Sequence, residues 1–462
     1  EDLSNKYGFD INDVDHFVFH QANLRIIEAT AKKLQVPLEK FPLTIADTGN
    51  ISSASIPVLL TQMKKEGKLK KGDKIYSVNM NKGIFLFNIG DEPLENGMNI
   101  LGAHIDSPRL DLKEHPIYER NEFALGDTHY YGGIKKYQWV TVPLSILGVI
   151  CKKDGSVVEV KIGEDENDPV VGISDLLVHL SADQLQKSLA KGIEGEDLDV
   201  TLGSIKLKDK EVKNYILDLL KEKYGMEEED FVTSELELVP SGKARDYGLD
   251  KSMIAGYGHD DRSCAYTSLK ALIDSNECEY TTCCILVDKE EIGSVGATGA
   301  HSLFFENTIM SILELNGVGH PVYNARIALE NSKMLSSDVS AGYDPLYSYA
   351  FEKKNASFLG QGVVFNKYTG SRGKSGSNDA TPEYYAWVRN VMDKNNVNWQ
   401  SAELGKIDQG GGGTIAYILG NYNMNVIDAG IPVLNMHAPM EIVSKADIFE
   451  AYSAYKAFLK EE

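Results

Sequence analysis

The chain has 462 residues, of which 42% are hydrophobic and 25% are charged. This balance is typical of soluble globular proteins, and at roughly 150 residues per domain the length predicts two or three domains. The 68 acidic and 47 basic residues give a net charge of −21, which disfavours nucleic acid or an anionic membrane as the main partner. No apolar run approaches the roughly 20 residues of a membrane-spanning helix.

Five cysteines without zinc-finger spacing predict reduced thiols and a cytoplasmic protein. The sequence opens with Glu1 rather than methionine and shows no signal peptide, so we expect that it does not start at a native translation start.

The predicted elements change character three times along the chain. Residues 1–70 combine helix and strand signals, with helices predicted at 24–34 and 56–66, and end in a basic run. Residues 71–109 contain three predicted strands, at 74–78, 83–87 and 99–104.

Residues 110–245 contain short strands, one of them predicted at 157–162, together with acidic loops and one predicted helix at 212–224, which indicates an inserted, β-rich domain. From residue 246 onward, helices, among them those predicted at 265–275 and 382–394, alternate with apolar strands. This alternation predicts an α/β fold in which helices flank a central mixed sheet. The sheet would therefore be built from 71–109 and 246–462, with the β-rich domain interrupting it.

A pair of acids follows the apolar run at 281–287. Glu290 and Glu291 stand side by side at the end of this predicted strand, where a desolvated carboxylate needs a cation or a proton. Divalent metal ions would supply the cation. One glutamate could then bind metal while its neighbour handles a proton.

Other polar residues also lie where a predicted strand ends or a predicted helix begins. His104 and Asp106 end the strand at 99–104, and alternate residues of an extended chain point the same way, so Asp106 could fix the tautomer of a metal-binding His104. Asp260 and Asp261 precede a predicted helix, where helix capping is the alternative. Asp338 follows a predicted helical stretch and has the same alternative.

His437 follows an apolar strand predicted at 429–434, and its structural alternative is a satisfied turn histidine. The order of the motifs is more informative than any one of them. His, Asp, Glu-Glu, Asp and His each lie where a strand ends or a helix begins, which is where α/β folds build their sites. Five ligands with one shared carboxylate suit two ions about 3.5–4 Å apart.

The same motifs resemble those of the aspartyl aminopeptidase (aminopeptidase I) family, which are dinuclear zinc exopeptidases. The resemblance covers residues 71–462 and is nearest to the bacterial branch of the family, as the glycine-containing segments 130–137 and 410–415 indicate. It rests on five motifs, which are His104-Ile105-Asp106-Ser107-Pro108, Asp260-Asp261-Arg262, Asp288-Lys289-Glu290-Glu291-Ile292-Gly293-Ser294, Ser337-Asp338 and Met436-His437.

The resemblance implies a role for each motif. Glu290 would be the general base and Asp106 would orient a ligand, while Asp260 would bridge two divalent ions, most often Zn²⁺ although Co²⁺ and Mn²⁺ suit the same ligands. Water activated by the ions would attack the first peptide bond of a peptide substrate, with Glu290 moving the proton. The implied metal ligands are His104, Asp260, Glu291, Asp338 and His437.

Specificity and assembly are also implied by the resemblance. Family members form dodecamers, in which a histidine of the inserted domain reaches a neighbouring active site, and His179 resembles it. Lys367 aligns with a lysine that receives an acidic substrate side chain. The segment after Lys367 is longer here than in the eukaryotic pattern, which leaves open the preference for N-terminal Asp or Glu.

Residues 1–70 resemble a different family, the C-terminal part of 3-oxoacyl-(acyl carrier protein) synthase III. His20 and Asn50 match two members of the Cys-His-Asn triad of that family. No cysteine precedes Cys151, so the nucleophile is missing and we expect a chimeric or mis-assigned segment without condensing activity. Two alternative functions remain, an acyl-thioester condensing enzyme and a non-catalytic peptide-binding assembly protein.

Overall fold

The computed structural model describes residues 11, 14, 16–18, 24–43, 72–276 and 278–461. The helix predicted at 56–66, together with His20 and Asn50, lies outside the described residues. Within them, no helix has both the length and the apolar character needed to cross a membrane.

Nineteen strands are found in the described residues. In chain order they are β1 Lys74–Asn79, β2 Gly83–Asn88, β3 Met98–His104, β4 Arg109–Arg120, β5 Phe123–Tyr131, β6 Leu144–Cys151, β7 Val157–Ile162, β8 Val200–Gly203, β9 Ser234–Pro240, β10 Arg245–Tyr247, β11 Met253–Gly256, β12 Thr281–Val287, β13 Lys333–Ser336, β14 Ser340–Ala341, β15 Val363–Asn366, β16 Trp399–Ser401, β17 Asn425–Gly430, β18 Pro432–Leu434 and β19 Glu441–Ser444.

The α-helices of the described residues are fewer. They are α1 Leu24–Leu34, α2 Leu189–Gly192, α3 Val212–Tyr224, α4 His259–Ile273, α5 Phe304–Leu315, α6 Pro321–Glu330, α7 Pro382–Lys394, α8 Ala416–Gly420 and α9 Lys445–Lys460.

The chain divides into two compact units. Of the described residues, the first unit contains those up to 106, those of 261–432 and those from 446 onward, and the second contains 107–260 and 433–445. The division between Asp260 and Asp261 falls inside α4.

The first unit is built on an eight-stranded mixed sheet of order β1-β2-β12-β3-β13-β17-β15-β16. Its centre is parallel, because β12 pairs with β3, β3 with β13, and β13 with β17 in the same direction. Strands β1 and β2 continue it antiparallel on one side, and β15 is antiparallel to β17 on the other.

The central strands are apolar because both faces of the sheet are covered. All seven residues of β12 are buried, as are all seven of β3. Continuous burial of this kind is expected of parallel strands with helices on both faces. The core of the unit packs residues of β2, β3 and β12 against residues of α5 and α6.

Local sequence signals explain where the helices of this unit begin. Thr381 caps α7 by accepting the N–H of Tyr384, and Pro382 takes the first helical position, where its missing N–H has no intrahelical partner to lose. The predicted bounds of α7 are therefore confirmed.

The second unit contains a six-stranded antiparallel sheet of order β7-β6-β9-β4-β5-β8. Trp139, Leu144, Ile150, Leu198 and Leu238 are buried in its core. In the same unit β11 pairs antiparallel with both β10 and β19. The strand predicted at 157–162 is confirmed as β7, and α3 has the predicted bounds.

Three sequence expectations differ from the structure. Asp338 does not follow a helix directly, because the four-residue strand β13 intervenes after α6. The helix expected from Ala265 begins at His259 as α4. The strand predicted at 429–434 is two strands, β17 and β18, and the second pairs antiparallel with β19.

The short segment 24–43 has a small core of its own. Helix α1, which confirms its predicted bounds, buries Ile27 and Ala31. These residues cluster with Phe17, Val36 and Phe41.

Candidate metal centre

Three neighbouring parallel strands of the first unit end at the same edge of its sheet. Val287, the last residue of β12, pairs in register with His104, the last residue of β3. On the other side of β3, Ser336 at the end of β13 pairs with Gly102. The residues that follow these ends are therefore brought together, as expected at the carboxyl edge of an α/β sheet.

His104 has only one ring nitrogen suited to a metal. Its Nδ1 lies 2.9 Å from the backbone oxygen of Asp106 and 3.4 Å from a carboxylate oxygen of the same residue. A protonated Nδ1 donating to that carbonyl makes Nε2 the nitrogen that can ligate.

The carboxylate of Asp106 also holds the glutamate pair. One oxygen accepts the backbone N–H of Glu290 at 3.1 Å, and the other accepts the N–H of Glu291 at 3.2 Å. Asp106 is buried, so these hydrogen bonds form largely away from water. Both oxygens of one carboxylate thus position the turn that carries the two glutamates.

A strained turn brings the glutamates out of β12. Lys289 has a left-handed backbone with φ of 68°, and Gly293 closes the short 3-10 turn Glu290–Ile292 with φ of 95°. The Lys289 ammonium donates to Asp288 and to the hydroxyl of Thr298, both at 2.9 Å. Left-handed backbone at a residue other than glycine is uncommon and concentrates at functional sites.

Ligand atoms of three side chains converge in the first unit. His104, Asp261 and Asp338 each offer one ligand atom, and these atoms lie within 4.8 Å of one another. A carboxylate oxygen of Glu291 also comes within 4.8 Å of a ring nitrogen of His104. The structure therefore brings together three of the predicted ligands and adds Asp261.

A second imidazole and carboxylate meet in the second unit. His437 Nε2 lies 3.2 Å from an oxygen of Asp260, and His437 Nδ1 lies 2.7 Å from the backbone oxygen of Gly133. The tautomer argument made for His104 applies again, so Nε2 is the ring nitrogen of His437 that can ligate a metal. Both predicted histidines are thus oriented by a backbone carbonyl.

Glu441 links the two residues of this pair. Its carboxylate accepts the backbone N–H of Asp260 at 3.0 Å and that of His437 at 2.7 Å. Burial raises the pKa of Glu441 to about 7, and the nearby Asp260 carboxylate adds to the shift. Glu441 therefore positions Asp260 and His437 through their backbone N–H groups.

The donor set of each unit suits divalent zinc. Imidazole nitrogen and carboxylate oxygen are ligands that zinc, cobalt and manganese accept. His104 and Asp261 are only 2% and 0% exposed, and a buried carboxylate needs a compensating cation. The residues present therefore fit a metal ion.

A further buried acid is Asp428, whose carboxyl is influenced by the Glu290 carboxylate. Thr414 donates to Asp428 at 2.6 Å, and Asp428 is buried in the middle of β17. Burial raises the pKa of Asp428 to about 7, the hydroxyls of Thr414 and Ser336 oppose this shift, and the Glu290 carboxylate adds to it.

The two predicted specificity residues have different surroundings. Lys367 follows β15, and its ammonium lies 2.6 Å from a carboxylate oxygen of Asp379. His179 lies in an exposed turn of the second unit, Val178–Leu180.

Sequence reasoning did not assign Asp261 or Glu441. The adjacent pair Asp260-Asp261 contains the only signal for Asp261, but a sequence cannot tell which of two neighbouring acids points inward. Glu441 begins the apolar strand β19 and belongs to no motif, so only the hydrogen bonds to its carboxylate reveal it.

A mixed sheet with imidazole and carboxylate donors at the carboxyl edge of its parallel strands defines an α/β protein with a metal-binding centre. A family description of the aminopeptidase I zinc metalloproteases (M18) matches residues 48–459. A probable M18 family aminopeptidase 1 of Clostridium acetobutylicum is 61% identical over 401 residues, covering 86% of each chain.

Solved structures give the same result. An M18 aminopeptidase of Thermotoga maritima superposes with a TM-score of 0.83 at 40% identity, covering 96% of this chain and 99% of the other. The mApe1 dodecamer of S. cerevisiae is a distant likeness in fold, with 20% identity and a TM-score of 0.65, covering 88% of this chain and 93% of the other.

The chain therefore belongs to the aminopeptidase I zinc metalloprotease family (M18). This confirms the predicted family, the α/β fold class and the class of enzyme, a metalloaminopeptidase. A second description, of the C-terminal part of 3-oxoacyl-(acyl carrier protein) synthase III, matches residues 5–87, in agreement with the second resemblance.

Proposed function

We propose that the chain is a dinuclear zinc aminopeptidase that removes the N-terminal residue of peptides. The observation that supports this most directly is the convergence of His104, Asp261 and Asp338 within 4.8 Å at the edge of a parallel sheet. The proposed ligands of the two ions are those that the resemblance implies, namely His104, Asp260, Glu291, Asp338 and His437.

The choice of bridging carboxylate is a specific part of this proposal. We assign Asp260 as the bridge, as the family resemblance implies. Asp261 is the rival, because it is the acid that lies beside His104 and Asp338. Replacing each by Asn and measuring bound zinc separates the two assignments.

Glu290 is the proposed general base. Bound zinc would supply a Lewis acid that polarises the scissile carbonyl and acidifies the attacking water. Glu290 takes the proton of that water and returns it to the leaving amine. Asp106 keeps Glu290 in place through the backbone hydrogen bond described above.

Acidic N-terminal residues are the proposed preferred substrates, with Lys367 and His179 as the recognition residues implied by the resemblance. The ion pair of Lys367 with Asp379 lessens the support for Lys367, because an ammonium already neutralised has less to offer a substrate carboxylate.

Self-assembly into a dodecamer in the cytoplasm is the proposed working state. A run of large apolar side chains around His179 supports it, since these are exposed in a single copy and contiguous apolar surface marks interaction sites. They are Leu176, Leu177, Val178 and Leu180, followed by Leu185 and Leu189. Free thiols, four of them buried, support the cytoplasmic assignment.

Metal removal tests the proposed function. Full-length protein is assayed on aminoacyl chromogenic substrates before chelation, after chelation, and after zinc, cobalt or manganese is restored. Activity should disappear with the metal and return with it. Activity that survives complete removal of metal excludes the proposal.

Two glutamate variants test the division of roles. Glu290→Gln should abolish turnover while zinc content stays near two ions per subunit, as a two-metal mechanism requires. The matched variant Glu291→Gln should lower zinc content as well. If Glu290→Gln also loses zinc, Glu290 is a ligand and not the base.

The two rival functions give different results in the same assays. A condensing enzyme needs a reactive thiol, yet four of the five cysteines are buried, and burial raises the pKa of Cys264 and Cys283 well above the ordinary value. A peptide-binding protein would bind zinc without turnover.

A further inference from the structure

Residues 288–298 form a loop of the first unit that carries the glutamate pair, and we call it the base loop. It leaves β12 at Asp288, which is buried, and ends at Thr298, which is buried as well. Gly293 and Gly296 lie between them, in a stretch whose side chains are mostly exposed. A surface loop with glycines in it has much conformational freedom to lose, so it needs contacts that hold it.

Backbone hydrogen bonds close the base loop at two points. The N–H of Asp288 donates to the oxygen of Thr298 at 3.3 Å. The N–H of Ser294 donates to the oxygen of Lys289 at 2.7 Å. The loop is therefore closed once where it meets the sheet and once just after the glutamates.

The side chain of Lys289 spans the base loop. Its ammonium donates to a carboxylate oxygen of Asp288 and to the hydroxyl of Thr298, and that hydroxyl donates to the same oxygen at 2.8 Å. A methyl group built on Gly296 would lie 3.6 and 3.7 Å from Cδ and Cε of Lys289, so the stem of the lysine passes over this glycine. One side chain thus contacts the start, the middle and the end of the loop.

The backbone of the same lysine is strained. Lys289 has a φ of 68° and Ser294 a φ of 60°, and they lie on either side of the turn that holds Glu290 and Glu291. Left-handed backbone in residues other than glycine persists only where the surrounding structure holds it. The ammonium contacts supply such a hold at the residue that directly precedes Glu290.

The conformation of Lys289 decides where the backbone of Glu290 begins. A general base takes a proton from water and returns it to the leaving amine, and both transfers need hydrogen-bond distances of about 2.6–3.2 Å. A displacement of about 1 Å can lower a rate on the order of 100-fold. Asp106 accepts the N–H groups of both glutamates, and the residue before them is a second point at which their position is set.

Support of the fold is the alternative role for the Lys289 side chain. Its ion pair with Asp288 is partly exposed, with 33% and 13% of the two side chains accessible. Partly exposed pairs contribute little to overall stability. A contact of this kind, made by a strained residue next to Glu290, is better suited to hold a local geometry than to hold the fold.

We propose that Lys289 is a positioning residue for the general base. Its ammonium contacts keep Lys289 in the left-handed conformation, and this conformation places Glu290 where it can move the proton. The inference rests on the proposed aminopeptidase function and extends it, since Lys289 acts through the backbone and needs no contact with substrate or zinc. Thr298 is the partner of Lys289 at the far end of the base loop.

Three single variants of zinc-loaded full-length protein test this role on aminoacyl chromogenic substrates. Lys289→Met keeps the stem and loses the ammonium, Thr298→Val loses the hydroxyl with little change of shape, and Thr298→Ser keeps the hydroxyl. Lys270→Met is the matched control, because Lys270 also forms a partly exposed ion pair, with Asp274 in the last turn of α4. The readouts are kcat, KM, bound zinc and unfolding by urea.

Lys289→Met and Thr298→Val should each lower kcat on the order of 10- to 100-fold, with KM within about twofold of the wild type and zinc content unchanged. Thr298→Ser and Lys270→Met should keep the kcat of the wild type. The double variant of Lys289→Met and Thr298→Val should lose no more than the more impaired single variant, because both substitutions remove the same contact.

Several results overturn the proposal. They are an unchanged kcat in Lys289→Met and Thr298→Val, additive losses in the double variant, an equal loss in Lys270→Met, and a Thr298→Ser variant as impaired as Thr298→Val. A loss of kcat that follows a loss of zinc assigns the contact to the metal ligands and also overturns it. If Lys289→Met does not fold, the comparison of Thr298→Val with Thr298→Ser decides.

Hydrogen exchange separates failure of this inference from failure of the proposed function. Metal-depleted wild type, Lys289→Met and Lys270→Met are compared by mass spectrometry of the peptides that cover 288–298. Amides of the base loop should exchange on the order of tenfold faster in Lys289→Met alone, which supports the inference even if the wild type hydrolyses no peptide. Equal exchange in the three proteins overturns it even if zinc-dependent peptidase activity is present.

Discussion

At the scale of single residues, Asp106 does more than orient a histidine. Sequence reasoning assigned its carboxylate to the His104 ring, but the nearest oxygen to Nδ1 is the backbone oxygen of Asp106, and the carboxylate accepts two backbone N–H groups of the glutamate turn. One residue therefore positions a proposed ligand with its main chain, and both the proposed general base Glu290 and the proposed ligand Glu291 with its side chain.

Asp106→Asn tests this double role. An amide offers one acceptor and one donor, so one of the two N–H groups would face another donor in a buried site. We expect a loss of about 1–3 kcal/mol in the free energy of unfolding, together with lower zinc content and turnover. Urea unfolding and metal analysis measure these quantities.

Asp344→Asn is the control for that variant. Asp344 also accepts a backbone N–H, that of Leu346, but on an exposed turn, where Asn serves almost equally well. Equal effects of the two substitutions would contradict the positioning role of Asp106.

At the scale of elements, strand β17 places the buried carboxyl group of Asp428 inside the eight-stranded sheet. Asp428 pairs in register with Ser336 on one side and with Asn366 on the other. Its hydrogen bond from Thr414 fixes the residue that follows the glycine run Gly410–Gly413.

The raised pKa of Asp428 gives a pH dependence with a definite sign. The folded protein holds this proton up to about pH 7, whereas the unfolded chain releases it near 3.8. The contribution of Asp428 to the free energy of unfolding is therefore fully present below the pKa of the unfolded chain, and it is lost as the pH rises through 7. Asp428→Asn should thus gain stability relative to the wild type between pH 5 and pH 8.

Asp379→Asn is the control of opposite sign. Hydrogen bonds from Lys367 and Lys374 lower the pKa of Asp379, so its contribution is present above the unfolded value and lost as the pH falls. Urea unfolding at pH 5 and pH 8 measures Asp428→Asn, whereas Asp379→Asn is compared at pH 5 and about pH 3, because the window of Asp379 lies below the ordinary pKa of an aspartate. The difference in the free energy of unfolding between the wild type and Asp428→Asn should change with pH. A difference that stays constant would contradict burial of an ionisable Asp428.

The same elements show what a sequence can predict. Strand β12 was predicted because an unbroken apolar run is a local signal, and the Thr381-Pro382 start of helix α7 is also local. Strand β13 was missed because four residues are too few for a pattern, and its place in the sheet depends on pairing with β3 and β17. The site residues that follow strands were predicted from the order of the motifs along the chain. The position of Asp261 depends instead on the orientation of helix α4, which the sequence does not give.

At the scale of the whole molecule, the proposed assembly makes His179 a residue that acts in another subunit. Its surroundings in one copy are exposed apolar side chains of the same unit, with Leu177 and Val178 being 54% and 73% exposed. Burial of such side chains contributes about 1.5–3 kcal/mol each, which favours association.

Mixed assemblies test action in trans. His179→Ala subunits keep Glu290 but lack the donated histidine, and Glu290→Gln subunits have the reverse defect. Each variant alone should be inactive on acidic peptides, and subunits mixed under reversible dissociation should regain part of the activity. Sedimentation confirms that the assemblies have the same size.

Failure of complementation in assemblies shown to be mixed would contradict action in trans. If His179→Ala alone retains full activity, His179 has no role in substrate recognition. Neither result affects the zinc requirement, so the aminopeptidase proposal is judged independently.

The distribution of the five cysteines has a practical consequence. Cys151 at the end of β6 is exposed, and the other four thiols are buried in the folded protein. Cys151 is therefore the one exposed thiol that a reagent in solution meets on the folded protein. A maleimide dye would attach to the second unit alone, which provides a fluorescent reporter on each subunit of an assembly without engineering the chain.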